Sequence, residues 1–350
     1  MFASRKSIRS PIGIDVGRRE IKAVQLVRGA GTLRVAAAML LPRPADGITP
    51  LDAEVQRLGD ALDRSGFIGR RIVLAVPGEK LISSVLELPR TSAVPVTQMA
   101  RMELARNHRC PPDSLEMGCW ELPAAARAAK SAQVMAVACR HEDANAILDR
   151  FESFGLDVVG LDVRACALAR VTAPLAPADG GVTAVLELGW TAANLVLLYR
   201  GNVVYERKVA DAGFDRLHAE LCKKLHVEPD VADYLLADAG LGVTPGDANA
   251  APPDARALMT AHLESLAADV SASLSYAAHQ YDDSGIASLL LCGAGAAVPG
   301  VDRHLAGLLK IAARKVGPAD IAPCPPGQSP ACTSPATLVA MGMAMFETDD

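Results

Sequence analysis

One pattern recurs at a fixed distance in this chain, and it restricts the fold more than any other feature. Ile12-Gly13-Ile14-Asp15-Val16-Gly17, an apolar run ending in an acid, one spacer and a glycine, returns as Val185-Leu186-Glu187-Leu188-Gly189, 172 positions further on. At that same offset Val24 meets Val196, Leu26 meets Leu198, and Arg28-Gly29 meets Arg200-Gly201. Each half therefore carries a hairpin whose first turn is entered by an acid and a glycine. Matches that share one offset point to a duplicated framework. With 350 residues, half of them hydrophobic, the chain can fill more than one core and is not generally disordered.

Apolar periodicity places the other elements around the two hairpins. Ile21 to Val27 and Leu33 to Leu41 alternate as strands, whereas Leu51, Val55, Leu58 and Leu62 recur at helical spacing before Gly66. Arg71 to Val76 is a buried-type strand closed by Pro77-Gly78. Residues 80–155 then have their own rhythm: strand, helix from Pro95 to His108, strands at 117–122 and 134–139, and a helix carrying Ile147, Phe151 and Phe154. That order suggests an inserted α+β subdomain. Helices are expected at 214–225 and 257–281, a strand at 287–292 running into Gly293-Ala294-Gly295, and a short helix at 335–346 with Ser334 as its N-cap. The Ala-rich stretch at 123–132 and the loop at 238–255 read as connectors.

Composition narrows the function. The 35 basic and 40 acidic residues nearly balance, and aromatics make up 4%, which argues against nucleic acid as a partner. No uncharged apolar run approaches the roughly 20 residues of a membrane span, so direct membrane insertion is not expected and the reading is cytoplasmic. The eight cysteines show neither CxxC pairing nor zinc-ligand spacing and read as free thiols. The basic residues at 95–109 read as a solvated helix face.

An acid-x-Gly turn has a direct chemical use. The glycine lets backbone N–H groups approach phosphate oxygens, and the acid can hold Mg²⁺ through its water shell. The alternative is a hairpin whose acid only accepts hydrogen bonds and whose glycine only turns the chain.

The order of these motifs resembles the PilM family of type IV pilus assembly proteins, within the actin-like ATPase superfamily that also holds FtsA. The resemblance runs from Ile12 to about Phe346, through GIDVGRREIKAVQL (13–26), AVPGEKLISSVLELP (75–89), ESFGLDVVGLDVRACALAR (152–170), residues 184–213, LLLCGAGAAVPG (289–300) and LVAMGMAMF (338–346). It implies an α/β, actin-like ATPase fold of duplicated ribonuclease-H-like domains with an FtsA/PilM-type insert. The first domain would comprise 11–79 and 156–181, completed by the helix at 335–346; the insert 80–155; the second domain 182–325. It further implies a cleft for ATP and Mg²⁺, with Asp15, Gly17, Lys22, Glu187, Gly189, Gly213, Gly293 and Gly295 on the nucleotide and Asp15 and Glu187 on the metal. The implied partner is the N-terminal peptide of a PilN-like inner-membrane protein, received in a groove between the first domain and the insert, with self-association as a further property.

Several residues depart from the family pattern. Arg18 and Arg19 stand where small hydroxyl residues are usual, Glu187 replaces an aspartate, Trp190 is bulky, and Ala232-Asp233 is all that remains of Ala-Glu-x-x-Lys. Weak nucleotide binding without efficient catalysis, or loss of the nucleotide, is therefore expected, and Arg18 is the alternative partner for a phosphate. The preferred reading is a scaffold; an active ATPase or small-molecule kinase, and an FtsA-like division filament, are the rivals. The chain stops after its final helix at Glu347-Thr348-Asp349-Asp350, whereas FtsA continues to a membrane helix, which counts against the filament.

Overall fold

The computed structural model describes residues 8–29, 31–44, 51–90, 94–123, 131–177, 180–242, 249–281, 285–325 and 330–347. Most of the Ala-rich connector, the middle of the 238–255 loop and Thr348-Asp349-Asp350 lie outside the described residues.

The chain begins with β1 (Ile8–Arg9), β2 (Ile12–Val16), β3 (Glu20–Gly29), β4 (Thr32–Pro42), α1 (Asp52–Arg64) and β5 (Arg71–Ala75). It then leaves the first sheet for β6 (Ile82–Pro89), α2 (Val96–Asn107), β7 (Leu115–Glu121) and β8 (Ser131–Arg140), and returns through α3 (His141–Glu152) to β9 (Asp157–Asp162) and α4 (Arg164–Thr172). The second half runs β10 (Val182–Leu188), β11 (Ala193–Tyr199), β12 (Asn202–Val209), α5 (Phe214–Leu225), α6 (Pro229–Tyr234), α7 (Pro253–Tyr281), β13 (Ile286–Cys292), α8 (Val301–Leu309), β14 (Ala313–Lys315) and α9 (Leu338–Ala344).

The repeat seen at offset 172 is a repeat of whole sheets. In the first sheet the neighbours are β4, β3, β2, β5 and β9, with β1 lying beside the far end of β3. In the second they are β12, β11, β10, β13 and β14. β2, β3 and β4 pair antiparallel as consecutive hairpins, as do β10, β11 and β12, and each sheet adds two parallel strands on the other side of β2 or β10.

Every residue of β10 is buried, because both faces of its sheet are covered. On one face Ala184, Leu186 and Leu188 join residues of α5 and α7. On the other, Val185 and Val196 share a core with α4, α9 and the inner face of the first sheet, including Val24 and Val73. The outer face of the first sheet, Ile12, Ile14, Ile72 and Leu74, packs on α1 and α3. Five layers result: helices, sheet, the α4/α9 pair, sheet, helices.

Small residues make the central layer thin. A Cβ on Gly13 would lie 2.0 Å from the Ala340 carbonyl oxygen, and one on Gly342 would lie 2.2 Å from that of Ala167. The backbone of α9 thus rests directly on β2 and on α4. Ser334 caps the turn before α9, its hydroxyl accepting from the Ala336 amide at 3.3 Å.

The three-stranded sheet of β6, β8 and β7 has α2 on one face. Its other face reaches across to the second half: the Trp120 indole donates to the Val203 carbonyl at 2.8 Å, and Leu122 and Met135 enter the core around β12. Ile147, Phe151 and Phe154, read from sequence as part of the 80–155 segment, place α3 on the first sheet, beside α1.

Candidate functional site: the cleft between the two hairpins

Asp15 and Glu187 each stand one residue before the end of their strands, β2 and β10, and each faces a partner on the returning strand. Asp15 is in register with Lys22 and Glu187 with Asn194. The Lys22 ammonium lies 3.2 Å from Asp15 Oδ2, and the Asn194 amide donates to Glu187 Oε2 at 3.1 Å. This leaves one oxygen of each acid turned toward the space between the sheets.

Arg164, the first residue of α4, fills that space. Its Nη2 donates to Asp15 Oδ1 at 2.7 Å and its Nη1 to Glu187 Oε1 at 2.8 Å. The two acids, 172 residues apart in sequence, are thus joined by one guanidinium at the floor of a shared crevice. Burial pushes the Asp15 carboxyl up, but Arg164 and then Lys22 outweigh it and hold the group well below the usual carboxylate range. Burial likewise works against the Arg164 charge, and Asp15 and Glu187 more than restore it. Glu206, on the same face of the second sheet, is pushed up by burial against the pull of Arg164.

A second cluster spans the mouth. Arg19 reaches from the first hairpin to Asp233 on α6 with two parallel hydrogen bonds of 2.7 and 2.6 Å, and its guanidinium lies 4.3 Å over the Trp190 ring. His218 completes it, 3.2 Å from Asp233 Oδ1 and edge-on to Trp190 at 5.3 Å. The residues that depart from the family pattern at 19, 190 and 233 therefore form one constellation. Arg43, which sequence reasoning passed over, braces the first turn from beneath: it donates to the Gly17 carbonyl at 2.7 Å and pairs with buried Glu54 at 2.9 Å.

Between floor and mouth lies a cavity of about 1020 Å³. Asp15, Gly17, Lys22, Glu187, Gly189, Gly293 and Gly295 line it, together with Arg18, Lys80 and Lys208; Gly213 does not. The glycines are accounted for by the chain's own packing. Gly293, at φ +84°, sits against the Leu188 backbone, with 2.6 Å from its would-be Cβ to the Leu188 oxygen. Gly189 meets the Ala192 carbonyl, Gly213 the Thr191 backbone, Gly295 the Phe214 ring and Gly17 the Lys22 ammonium, each within 2.6 Å.

Mg²⁺ is the ion that the resemblance implies at the two acids, and the donor set does not fit it. Both carboxylates have their available oxygens committed to Arg164, Lys22 and Asn194, and a divalent ion between them would meet the guanidinium charge at contact distance. Among the described residues no group of three His, Cys, Asp or Glu side chains is arranged to hold a metal.

The family model described as type IV pilus assembly protein PilM matches residues 13–348. Among solved structures, a PilM-PilN type IV pilus biogenesis complex is similar at TM-score 0.76 and 20% identity, over 96% of this chain and 97% of that one. Ethanolamine utilization protein EutJ from Carboxydothermus hydrogenoformans matches at 0.58 and 13%, over 99% of this chain and 92% of that chain. MreB5 of Spiroplasma citri bound to ADP matches at 0.53 and 11%, over 99% and 97%. The fold is the actin-like ATPase fold expected from the sequence.

Proposed function

Because the chain belongs to the PilM family of type IV pilus assembly proteins, we propose that it is a cytoplasmic scaffold of an inner-membrane pilus or type II secretion assembly. Its partner in this reading is a PilN-like membrane protein, whose short N-terminal peptide lies between the first sheet's helices and the inserted three-stranded sheet. The solved complex of like fold joins PilM to PilN. Among the described residues no helix is long and apolar enough to cross a membrane, so attachment is assigned to the partner. The domain partition expected from the sequence, with the insert at 80–155, is kept as part of this proposal, the insert's last helix, α3, packing on the first sheet and forming that wall of the groove.

The observation that carries the reading is the free edge of β6. Among the described residues this strand pairs with β8 alone, and its approach, Leu81 and Ser83, lines the cavity beside Pro77, Gly78 and Ile147. An extended peptide laid there gains main-chain hydrogen bonds from the edge and side-chain contacts from the pocket. The test is a titration with a synthetic peptide copying the first residues of a PilN-like membrane protein. Micromolar binding is expected, weakened about tenfold or more, or by at least about 1.4 kcal/mol, by Ser83→Arg, since that position is exposed and tolerates the change in the fold. Absence of binding to the unchanged protein at millimolar peptide would reject the groove.

A further inference from the structure

The two hairpins converge on a single point. Of the four carboxylate oxygens, Asp15 Oδ2 is taken by Lys22 and Glu187 Oε2 by Asn194, each from the returning strand of its own hairpin. The remaining two, Asp15 Oδ1 and Glu187 Oε1, come from different sheets and meet at Arg164. In a fold whose halves repeat each other, a position reached equally by both acids is where a shared cation would sit. We propose that Arg164 is this chain's built-in substitute for a divalent cation between the hairpins, and that the cleft stays closed on this guanidinium without metal or nucleotide.

Three observations support the substitution. The first is geometric: a guanidinium presents a planar fork of donors that reaches two carboxylates at once and does not lose its charge at any physiological pH. Mg²⁺ needs near-octahedral oxygen ligands at about 2.0–2.1 Å and keeps several waters, for which the committed oxygens leave no place. The second is tethering. Ala165, Ala167 and Leu168, just behind Arg164, are buried between the sheets and against α9. The cation is therefore delivered by a packed helix and competes with free metal as an intramolecular ligand. The third lies at the other end of the cleft: Arg19 spans the same two halves through Asp233 and Trp190, again with a cation from the protein itself. Floor and mouth are closed by arginines on different elements.

This inference concerns the chain alone and does not depend on the identity of any partner. Hydrogen exchange followed by mass spectrometry on segments 13–22 and 186–194, together with Mn²⁺ titration read by electron paramagnetic resonance, tests it. The unchanged protein is expected to show the same exchange in both segments with EDTA, with Mg²⁺ and with Mg-ADP, and to leave millimolar Mn²⁺ free. Arg164→Gln is expected to raise exchange severalfold in both hairpins and to bind one Mn²⁺, which restores protection. Glu187→Gln keeps Arg164 on Asp15 and is expected to loosen the 186–194 segment without taking up Mn²⁺; it decides the matter if Arg164→Gln does not fold. Metal binding by the unchanged protein, or protection gained on adding Mg-ADP, overturns the proposal. So does unchanged exchange in either variant, and an Arg164→Gln protein that loosens without binding Mn²⁺ overturns the assignment of this position as a cation site.

Discussion

Asp15 is enclosed by buried strand on most sides and by two cations on the others, so its charge is kept only while those partners stay. Asp15→Asn leaves Arg164 with Glu187 alone and Lys22 without its carboxylate, both at the edge of the cavity, and is expected to cost about 1.5–3 kcal/mol in urea unfolding. The acid dependence follows from the same contact. The carboxyl is depressed in the folded chain and regains a value near 3.8 when unfolded. Its contribution is therefore complete above that value and is lost as the pH falls further. Stability of the unchanged protein should drop more steeply below about pH 4 than that of Asp15→Asn. Asp15 and Glu187 are legible in the sequence because a shared offset marks both. Arg164 is not: it sits in Val163-Arg164-Ala165-Cys166, with no repeat mate, and its partners are 149 residues upstream and 23 downstream. Arg19, Trp190 and Asp233 are each visible as a departure, but single residues carry no sign that they will touch.

Among the elements, the hairpins and long helices are readable because periodicity or alternation survives wherever one side meets water. α5 runs over 214–225 as its spacing indicates, and the strand at 287–292 differs from β13 by one residue. α4 leaves no such trace. Ala165, Ala167, Leu168, Ala169 and Val171 are all buried, since the helix lies between two sheets, and a helix covered on every side shows no apolar stripe. Its partner α9 depends on the absence of two side chains. Gly13→Ala and Gly342→Ala would each drive a methyl into helix backbone at about 2 Å. Each should lower stability by roughly 1–3 kcal/mol or more by overpacking, and thermal melts of the two variants would measure it. Gly66→Ala is not a matching control, because that glycine holds φ +81°; Gly307→Ala is, having open space and an ordinary backbone.

Over the whole molecule, the chain is two copies of one sheet order fastened across a cleft, with a third sheet leaning from the first copy onto the second. The Arg19 cluster lies near solvent, so it governs opening more than stability. Arg19→Ala is expected to change the unfolding free energy by no more than about 1 kcal/mol, yet to raise hydrogen exchange around Trp190 and α6; unchanged exchange there would remove the cluster as a fastening.

The central layer also sets a schedule for folding. Residues 338–344 supply side chains to a core whose other walls include Val24 and Val73, so the ribosome has made more than 300 residues of chain after β3 before that core has its last component. Until then the inner face of the first sheet stays wet and adhesive. Until α9 emerges, a nascent chain of this kind is a client for holding chaperones, and a stall before that helix leaves a sticky fragment rather than a smaller folded one.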